Sequence, residues 1–525
     1  MTKEGILSEG TKRNEGKSAQ KLNIYAAKLV ADAVRTTLGP KGMDKMVVDN
    51  SGNVIVTNDG VTILKELEIE HPTAKMIVEI AKTQEIEVGD GTTSAVILAG
   101  ELLRKAEELI DEGIHPTIIA KGYRVASNKA LELLQSRSKE IKITKDLLQK
   151  IGETAMTGKG AEDDKEHLTK ILVDAIYKIK EHSKQITRND IKIEKKAGGI
   201  TKNTKIVSGL VLDKEKTHLS MPDEVKNAKI ALIDSPIEIR TPETDSKISI
   251  TSPSQIQEYL EMEELMLKEI VEKICESKAN VVFCQKGIDD YAQHLLAKKG
   301  IYACRRVRRS DMEKISKATN AKILTDLEDL NENTLGIAGR VKQEKVGEDY
   351  MTYITDCQSP KVLTILVRGS TPHITDEIAR AIDDALGDIL TTIKSSKLAP
   401  GAGAVEIDLA LKIEEYSNTL MGREQLAAKA FAKSLEIIPR TLAENAGLDT
   451  IDIIAILKSH HKKGNINSGI NVHTGKIMNS WKEGIIEPLQ VKITALQSAS
   501  DVAIMILRID DVILSEKKDI NEDLS

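Results

Sequence analysis

Helical periodicity at both ends of the chain, interrupted by a long strand–helix alternation, is the feature that most constrains how this sequence can fold. Residues 18–38 carry Leu22, Ala26, Leu29, Val30, Ala33, Val34 and Leu38 at helical spacing, with Ser18 as N-cap and Gly39-Pro40 as the stop. Met46–Val48 and Val54–Thr57 read as short strands about the turn Asp49-Asn50-Ser51-Gly52. Helical stripes return over 73–86 and over Thr92–Ile110, with Gly89-Asp90-Gly91 between them. The middle differs. Lys205–Leu212 and Lys229–Ile233 are β-like, 236–252 is rich in Pro, Thr and Ser, and 253–277 is a long charged helix. Strand Asn280–Cys284, helix Ile288–Lys299 and strand Ile301–Arg305 follow, so the stretch from roughly 215 to 364 reads as an α/β domain. After strand Lys361–Val367 and helix Asp376–Leu390 the chain turns helical again, over 404–420, 423–446 and 449–459, with two last stripes at Gln490–Ala499 and Asp501–Leu514. Such an order predicts one domain inserted into another, the two outer segments packing together.

Composition narrows the function. At 525 residues the chain has room for roughly three to four domains and needs no disulfide or metal to hold its cores. Aromatics are only 2%, with Trp481, Phe283 and Phe431 the sole tryptophan and phenylalanines, which argues against stacking on single-stranded nucleic acid. The net charge of −6 leaves no basic footprint for a duplex. Cys275, Cys284, Cys304 and Cys357 form no CxxC pair, excluding a zinc ribbon or a disulfide framework. The polar start MTKEGILSEGTKRNEGK and the lack of any apolar run near ~18 residues point to a soluble cytoplasmic chain without membrane contact.

Three glycine-rich corners carry the chemistry. Thr37-Leu38-Gly39-Pro40-Lys41-Gly42 ends the first helix, where glycine lets a ligand approach the backbone. Asn58-Asp59-Gly60 and Gly89-Asp90-Gly91-Thr92-Thr93 each open a helix, whose free amides and dipole attract an anion such as phosphate. Asp90 would repel a bare phosphate but suits one bridged by Mg2+, and Asp59 offers a second carboxylate. Each corner taken singly is also an ordinary turn or cap. Gly16-Lys17-Ser18 ends like a P-loop, but position 11 is Thr and no strand is expected before it.

The segments TLGPKGMDKM (37–46), TNDGVTIL (57–64), EVGDGTTSAVILAGELL (87–103) and PLQVKITALQSASDVAIMILRIDDVI (488–513) closely resemble the group II chaperonins, the archaeal thermosome and its relatives in the eukaryotic cytosol. NVVFCQKGIDDYAQHLLAKKGI (280–301) and RRVRRSDMEKISKATNAKI (305–323) resemble that family's substrate-handling domain, so the likeness spans essentially the whole chain. It implies a multidomain α and α/β chaperonin fold. A helical equatorial ATP-binding domain would combine 1–145 with 401–525, and an intermediate hinge domain 146–214 with 365–400. An apical domain would span 215–364, its built-in lid protrusion near 240–275. It also implies ATP and Mg2+ as ligands, unfolded polypeptides as clients, and identical or paralogous subunits in two stacked rings of eight or nine. Carried over by motif, Leu38, Gly39 and Pro40 would line the nucleotide and Asp90 would hold Mg2+. Asn58 would join the site, and Gly91, Thr92, Thr93 and Ser94 would contact phosphate. Asp59 would polarise the attacking water and Asp384, with Asp383 as second choice, would be the catalytic carboxylate of IARAIDDALGDIL (378–390). Thr157-Gly158-Lys159 would sense the terminal phosphate, Gly401 and Ala402 would border the nucleotide, and Glu487 would bind the ribose.

Two departures from the family stand out. Ala402 replaces the middle of three glycines, where its methyl would crowd the nucleotide. The closing residues NEDLS lack the Gly/Met-rich tail that in the family enters the cavity floor. Outside the family, the sequence leaves room for a small-molecule kinase or a ring subunit that binds nucleotide without hydrolysing it. The run Arg305-Arg306-Val307-Arg308-Arg309 reads as a solvated or inter-subunit salt-bridging face, and the 253–277 helix as core along its inner half with a contact surface at its tip.

Overall fold

The computed structural model describes residues 12–48, 52–137, 139–181, 185–239, 253–357 and 361–514. The turn at 49–51, most of the Pro/Thr/Ser-rich stretch with the first part of the expected lid (240–252), and the NEDLS end lie outside them. The chain forms two compact units, Met1–Glu166 with Arg380–Ser525, and His167–Ala379.

The first unit is a helical body. Helices Gly16–Arg35, Thr92–Asp111, Pro116–Arg137, Arg423–Leu435 and Leu489–Leu507 share one core, almost wholly Ala, Ile, Leu and Val. Small residues set the spacing: a Cβ on Gly100 would lie 2.3 Å from that of Ala31, and one on Gly122 would lie 2.5 Å from that of Ala427. Tyr123 and Phe431 meet edge-on at 5.6 Å, and the buried Tyr123 hydroxyl donates to the Leu102 carbonyl at 2.8 Å. Strand Lys397–Pro400 pairs antiparallel with Ile486–Pro488, and Lys12–Glu15 with Asp511–Leu514, stitching the two outer segments.

Several expected boundaries move. The first helix starts at Gly16 after Glu15, without a side-chain cap, and ends at Arg35. A short strand, Lys12–Glu15, does precede Gly16-Lys17-Ser18, but the helix begins at Gly16 itself and leaves no loop to wrap a phosphate. The segment 423–446 is two helices, Arg423–Leu435 and Ile437–Asn445, with Pro439 in the first turn of the second, where no amide partner is lost. The last two stripes are one helix, Leu489–Leu507, followed by a strand, Asp511–Leu514. Among the described residues no helix is long and apolar enough to cross a membrane.

The second unit is α/β. Its seven-stranded sheet runs Tyr302–Cys304, Val281–Cys284, Glu224–Ile233, Gly336–Val346, Asp349–Cys357 and Gly209–Leu212, with Ile323–Leu324 also on Glu224–Ile233. Val281–Cys284 is buried on both faces, as a parallel strand covered on each side should be. A smaller sheet joins Ile191–Ala197, Leu363–Gly369 and Lys205–Val207. Helix Pro253–Glu276 buries Leu267, Val271 and Ile274, while Tyr259, Leu260, Met262, Leu265 and Met266 stand exposed on its outer half. Arg309 pairs with Asp234 at 2.6 Å and Glu313 at 3.2 Å, and Arg305 with Asp290 at 3.6 Å, making the arginine run a salt-bridged surface.

Candidate functional site

In the helical unit the glycine corners close on one another. Gly39 holds φ +83°, and a Cβ on Gly158 (φ +81°) would lie 2.7 Å from the Gly39 carbonyl oxygen and 2.8 Å from the Pro40 Cα. Any side chain at 158 would therefore push these loops apart. The Asn58 amide donates to the Gly158 carbonyl. A Cβ on Gly60 would lie 2.5 Å from the Thr93 hydroxyl, so the helix starts at Gly60 and Thr92 abut directly. Between these corners lies a cleft of about 490 Å³. Leu38, Gly39, Pro40, Asn58, Asp59, Asp90, the run Gly91–Ser94, the run Thr157–Lys159, Ala402 and Glu487 all line it. Gly401 does not; its backbone is tied to Ile485 at 3.0 Å, and a side chain there would strike Glu487. Asp384 also stands back from the wall, behind Lys159.

Gly91 is the N-cap of helix Thr92–Asp111 at φ +80°, with no side chain capping it. Its first amides thus face the cleft with anion-binding capacity. Asp59, by contrast, caps helix Gly60–Glu66, accepting from the Val61 and Thr62 amides at 3.4 and 3.0 Å and from the Thr62 hydroxyl. It is both a cap and a cleft carboxylate, rigidly held.

Lys159 is the pivot. Its Nζ lies 2.6 Å from Asp384 Oδ2 and 3.3 Å from Asp90 Oδ1. Burial works against its charge, but the carboxylates of Asp384, Asp90 and Asp59 outweigh it and hold the ammonium protonated. Burial lifts the Asp384 carboxyl to about 8; Lys159 opposes this, while the negative charges of Asp59 and Asp90 add to it. Once ionised, as it is above about pH 8, that carboxylate is a stronger base than an ordinary one.

Several residues of the site had escaped the sequence reading. Gln84, fully buried, donates to the Asp90 carbonyl at 2.8 Å and the Val491 carbonyl at 3.1 Å, fixing the Asp90 turn. Lys492 bridges Glu406 and Glu487 at 2.8 Å each, a buried network on the cleft wall. Burial raises Glu487, with Lys492 opposing. Asp388, one helical turn beyond Asp384, is 2% exposed and carried well above the usual carboxylate range, by burial first and then by the charges of Asp90 and Glu487. The visible signal for it was its i+4 spacing from Asp384.

The donors fit a nucleotide and a divalent ion: open amides and Lys159 for phosphate, Asp90 for the ion, and the Lys492 network at the other end. Among the described residues no three His, Cys, Asp or Glu converge to hold a metal by themselves. An ion here would complete its shell with phosphate and water, as Mg2+ does.

Comparison with known proteins gives the family and the fold. The sequence model of the TCP-1/cpn60 chaperonin family matches residues 30–517. Thermosome subunit beta of Archaeoglobus fulgidus is 55% identical over 517 residues, 97% of this chain and 94% of its own. The thermosome subunit of Methanocaldococcus jannaschii is 52% identical over 515 residues, 98% of this chain and 95% of its own. A solved open-state monomer of a group II chaperonin from Methanococcoides burtonii aligns with TM-score 0.60 and 45% identity, over 80% of this chain and 100% of that one. The chain belongs to the TCP-1/cpn60 chaperonin family and has the group II chaperonin fold.

Proposed function

We propose that this chaperonin subunit hydrolyses ATP with Mg2+ and uses the cycle to enclose unfolded polypeptides and promote their folding. The observation that carries the reading is Lys159 touching both Asp90 and Asp384 beside the uncapped helix start at Gly91. The amides of Thr92, Thr93 and Ser94 receive phosphate oxygens, and Lys159 neutralises the terminal phosphate. Asp90 would hold Mg2+, which when bound would supply charge neutralisation to the phosphates. Asp384 accepts the proton of the attacking water, which Asp59 helps to orient. Leu38, Gly39 and Pro40 pack on the nucleotide with Ala402, and Glu487 takes a ribose hydroxyl.

The proposed domains are equatorial (1–145 with 401–525), intermediate (146–214 with 365–400) and apical (215–364), the last carrying the lid near 240–275. Asp384 and Lys159 both lie on the proposed intermediate segments, so hinge opening would take them from Asp90 and undo the hydrolytic set. The exposed apolar side chains of helix Pro253–Glu276 suit contact with neighbours or client. Relatives named as alpha and beta subunits support assembly with identical or paralogous chains, which we place in two stacked rings in the cytoplasm.

The test is phosphate release by the purified chain alone, measured on its ring-sized fraction without any acceptor. Turnover there supports the reading and excludes a kinase that needs an acceptor. Bound ATP without phosphate release would make the chain a binding-only ring subunit.

A further inference from the structure

The helix Pro372–Ser395 meets the Val88–Asp90 turn through bare backbone. A Cβ on Gly387 would lie 2.7 Å from the Val88 carbonyl oxygen and 3.0 Å from Gly89 Cα, and one on Gly89 would lie 3.0 Å from Gly387 Cα. Asp384 and Asp388 flank this contact. Asp384 reaches Lys159, whereas Asp388 lies deeper, 2% exposed, with Oδ1 lacking any hydrogen-bond partner among the described residues. The charged groups that bear on it are Asp90, Glu487, Lys159 and Asp384. A buried carboxyl oxygen without a partner is costly, and a polar ligand that completes it offsets that cost. Where Asp90 is the ligand that the protein supplies, a hydrated ion keeps several waters, and each needs an acceptor.

We infer that Asp388 is a positioning residue for the divalent ion, its carboxyl accepting a hydrogen bond from a water in the shell of the ion that Asp90 holds. The inference rests on the Mg2+–nucleotide reading of the site. Outer-shell partners of this kind orient the coordination sphere without touching the metal. The Gly89–Gly387 contact brings the Asp388 helix alongside the Asp90 turn, so the distance between carboxylate and shell is set by backbone.

The test titrates Mn2+ into the full-length chain saturated with ADP and follows free Mn2+ by its paramagnetic resonance signal. Asp388→Leu, which fills the volume without an acceptor, should weaken Mn2+ binding by about 10- to 100-fold. Asp388→Asn, which keeps a neutral acceptor, should weaken it by only about threefold. ADP affinity in EDTA should be the same in all three chains, which a merely structural defect would not preserve. Wild-type Mn2+ affinity in Asp388→Leu overturns the inference; if that variant does not fold, wild-type affinity in Asp388→Asn does so. A native chain that binds ADP but takes up no Mn2+ would instead overturn the underlying metal–nucleotide reading, and the inference with it.

Discussion

Gly387→Ala separates positioning from binding. Away from its neighbours the substitution favours the helix by about 1 kcal/mol, since Gly387 is not in the left-handed region. Against the Val88–Gly89 backbone it cannot be accommodated: the new methyl would lie 2.7 Å from a carbonyl oxygen and 3.0 Å from a Cα. Carbon contacts relax at about 3.5–4.0 Å, so the helix must retreat by roughly 0.5–1 Å. Over-packing of this kind costs about 1–3 kcal/mol, leaving a net loss of about 0–2 kcal/mol in stability. The retreat carries Asp384 away from Lys159, now 2.6 Å distant, and a displacement near 1 Å costs about 10²-fold in rate. ATP affinity measured in EDTA should stay within about threefold, because neither Gly387 nor Gly89 lines the cleft. Phosphate-release kinetics, nucleotide titration and a thermal scan on the same preparation measure the three quantities. A folded Gly387→Ala chain with native kcat would refute the backbone-positioning argument, as would a loss confined to ATP affinity.

Other expectations follow from the same contacts. Asp384→Asn should lower turnover by about 10²- to 10⁴-fold while sparing ATP binding; native turnover would show that another group takes the proton. In the native chain Asp384 must be ionised to act, so kcat/KM should rise with pH and level off above about 8, and Asp384→Asn should lack this limb. Because the folded chain keeps a proton there that the unfolded chain has already lost, this group makes stability fall as pH rises from the ordinary carboxylate range to about 8. Ala402 sits at φ +58° on the cleft wall, so Ala402→Gly relieves about 1 kcal/mol of strain against a similar entropic loss. Its readout is a lower KM for ATP at unchanged kcat, and an unchanged KM would show that the methyl does not crowd the nucleotide. Gln84→Leu leaves the Asp90 and Val491 carbonyls without their donor and should cost about 1–3 kcal/mol in denaturant unfolding, together with a higher Mg2+ requirement.

The parts of the site that were legible in sequence are those whose chemistry is local. Gly39, Gly91 and Gly158 announce corners because a positive φ is a property of one residue and its neighbours. The Gly89–Gly387 contact and the Lys492 bridge between Glu406 and Glu487 were not legible, since each joins residues that only the fold makes adjacent. Helix Leu489–Leu507 looked like two stripes because of Ser498-Ala499-Ser500. The helix continues because Leu496, Ala499, Ala503, Ile504 and Leu507 are buried in one core, and the Ser500 hydroxyl is satisfied locally by the Leu496 carbonyl at 2.6 Å. The hairpin Gly336–Val346 and Asp349–Cys357 passed unnoticed because the polar run Lys342–Lys345 breaks the apolar alternation of its first strand.

Charge at the phosphate end makes the metal more than an accessory. Asp59 and Asp90 stand against the Lys159 ammonium, and Asp384, which keeps its proton up to about pH 8, adds a third negative charge above that. A nucleotide's phosphates entering without a cation would meet an excess of like charge. At an effective dielectric near 20 each uncompensated carboxylate–phosphate pair about 7 Å apart costs about 2–3 kcal/mol. A divalent ion on Asp90 removes that repulsion, so chelation should weaken ADP binding by roughly 10²-fold even though no step of chemistry is involved. Calorimetric titration of ADP with Mg2+ and with EDTA measures the difference. Equal affinities would mean that Lys159 alone balances the phosphates and that Asp90 serves the fold of its turn rather than the ion.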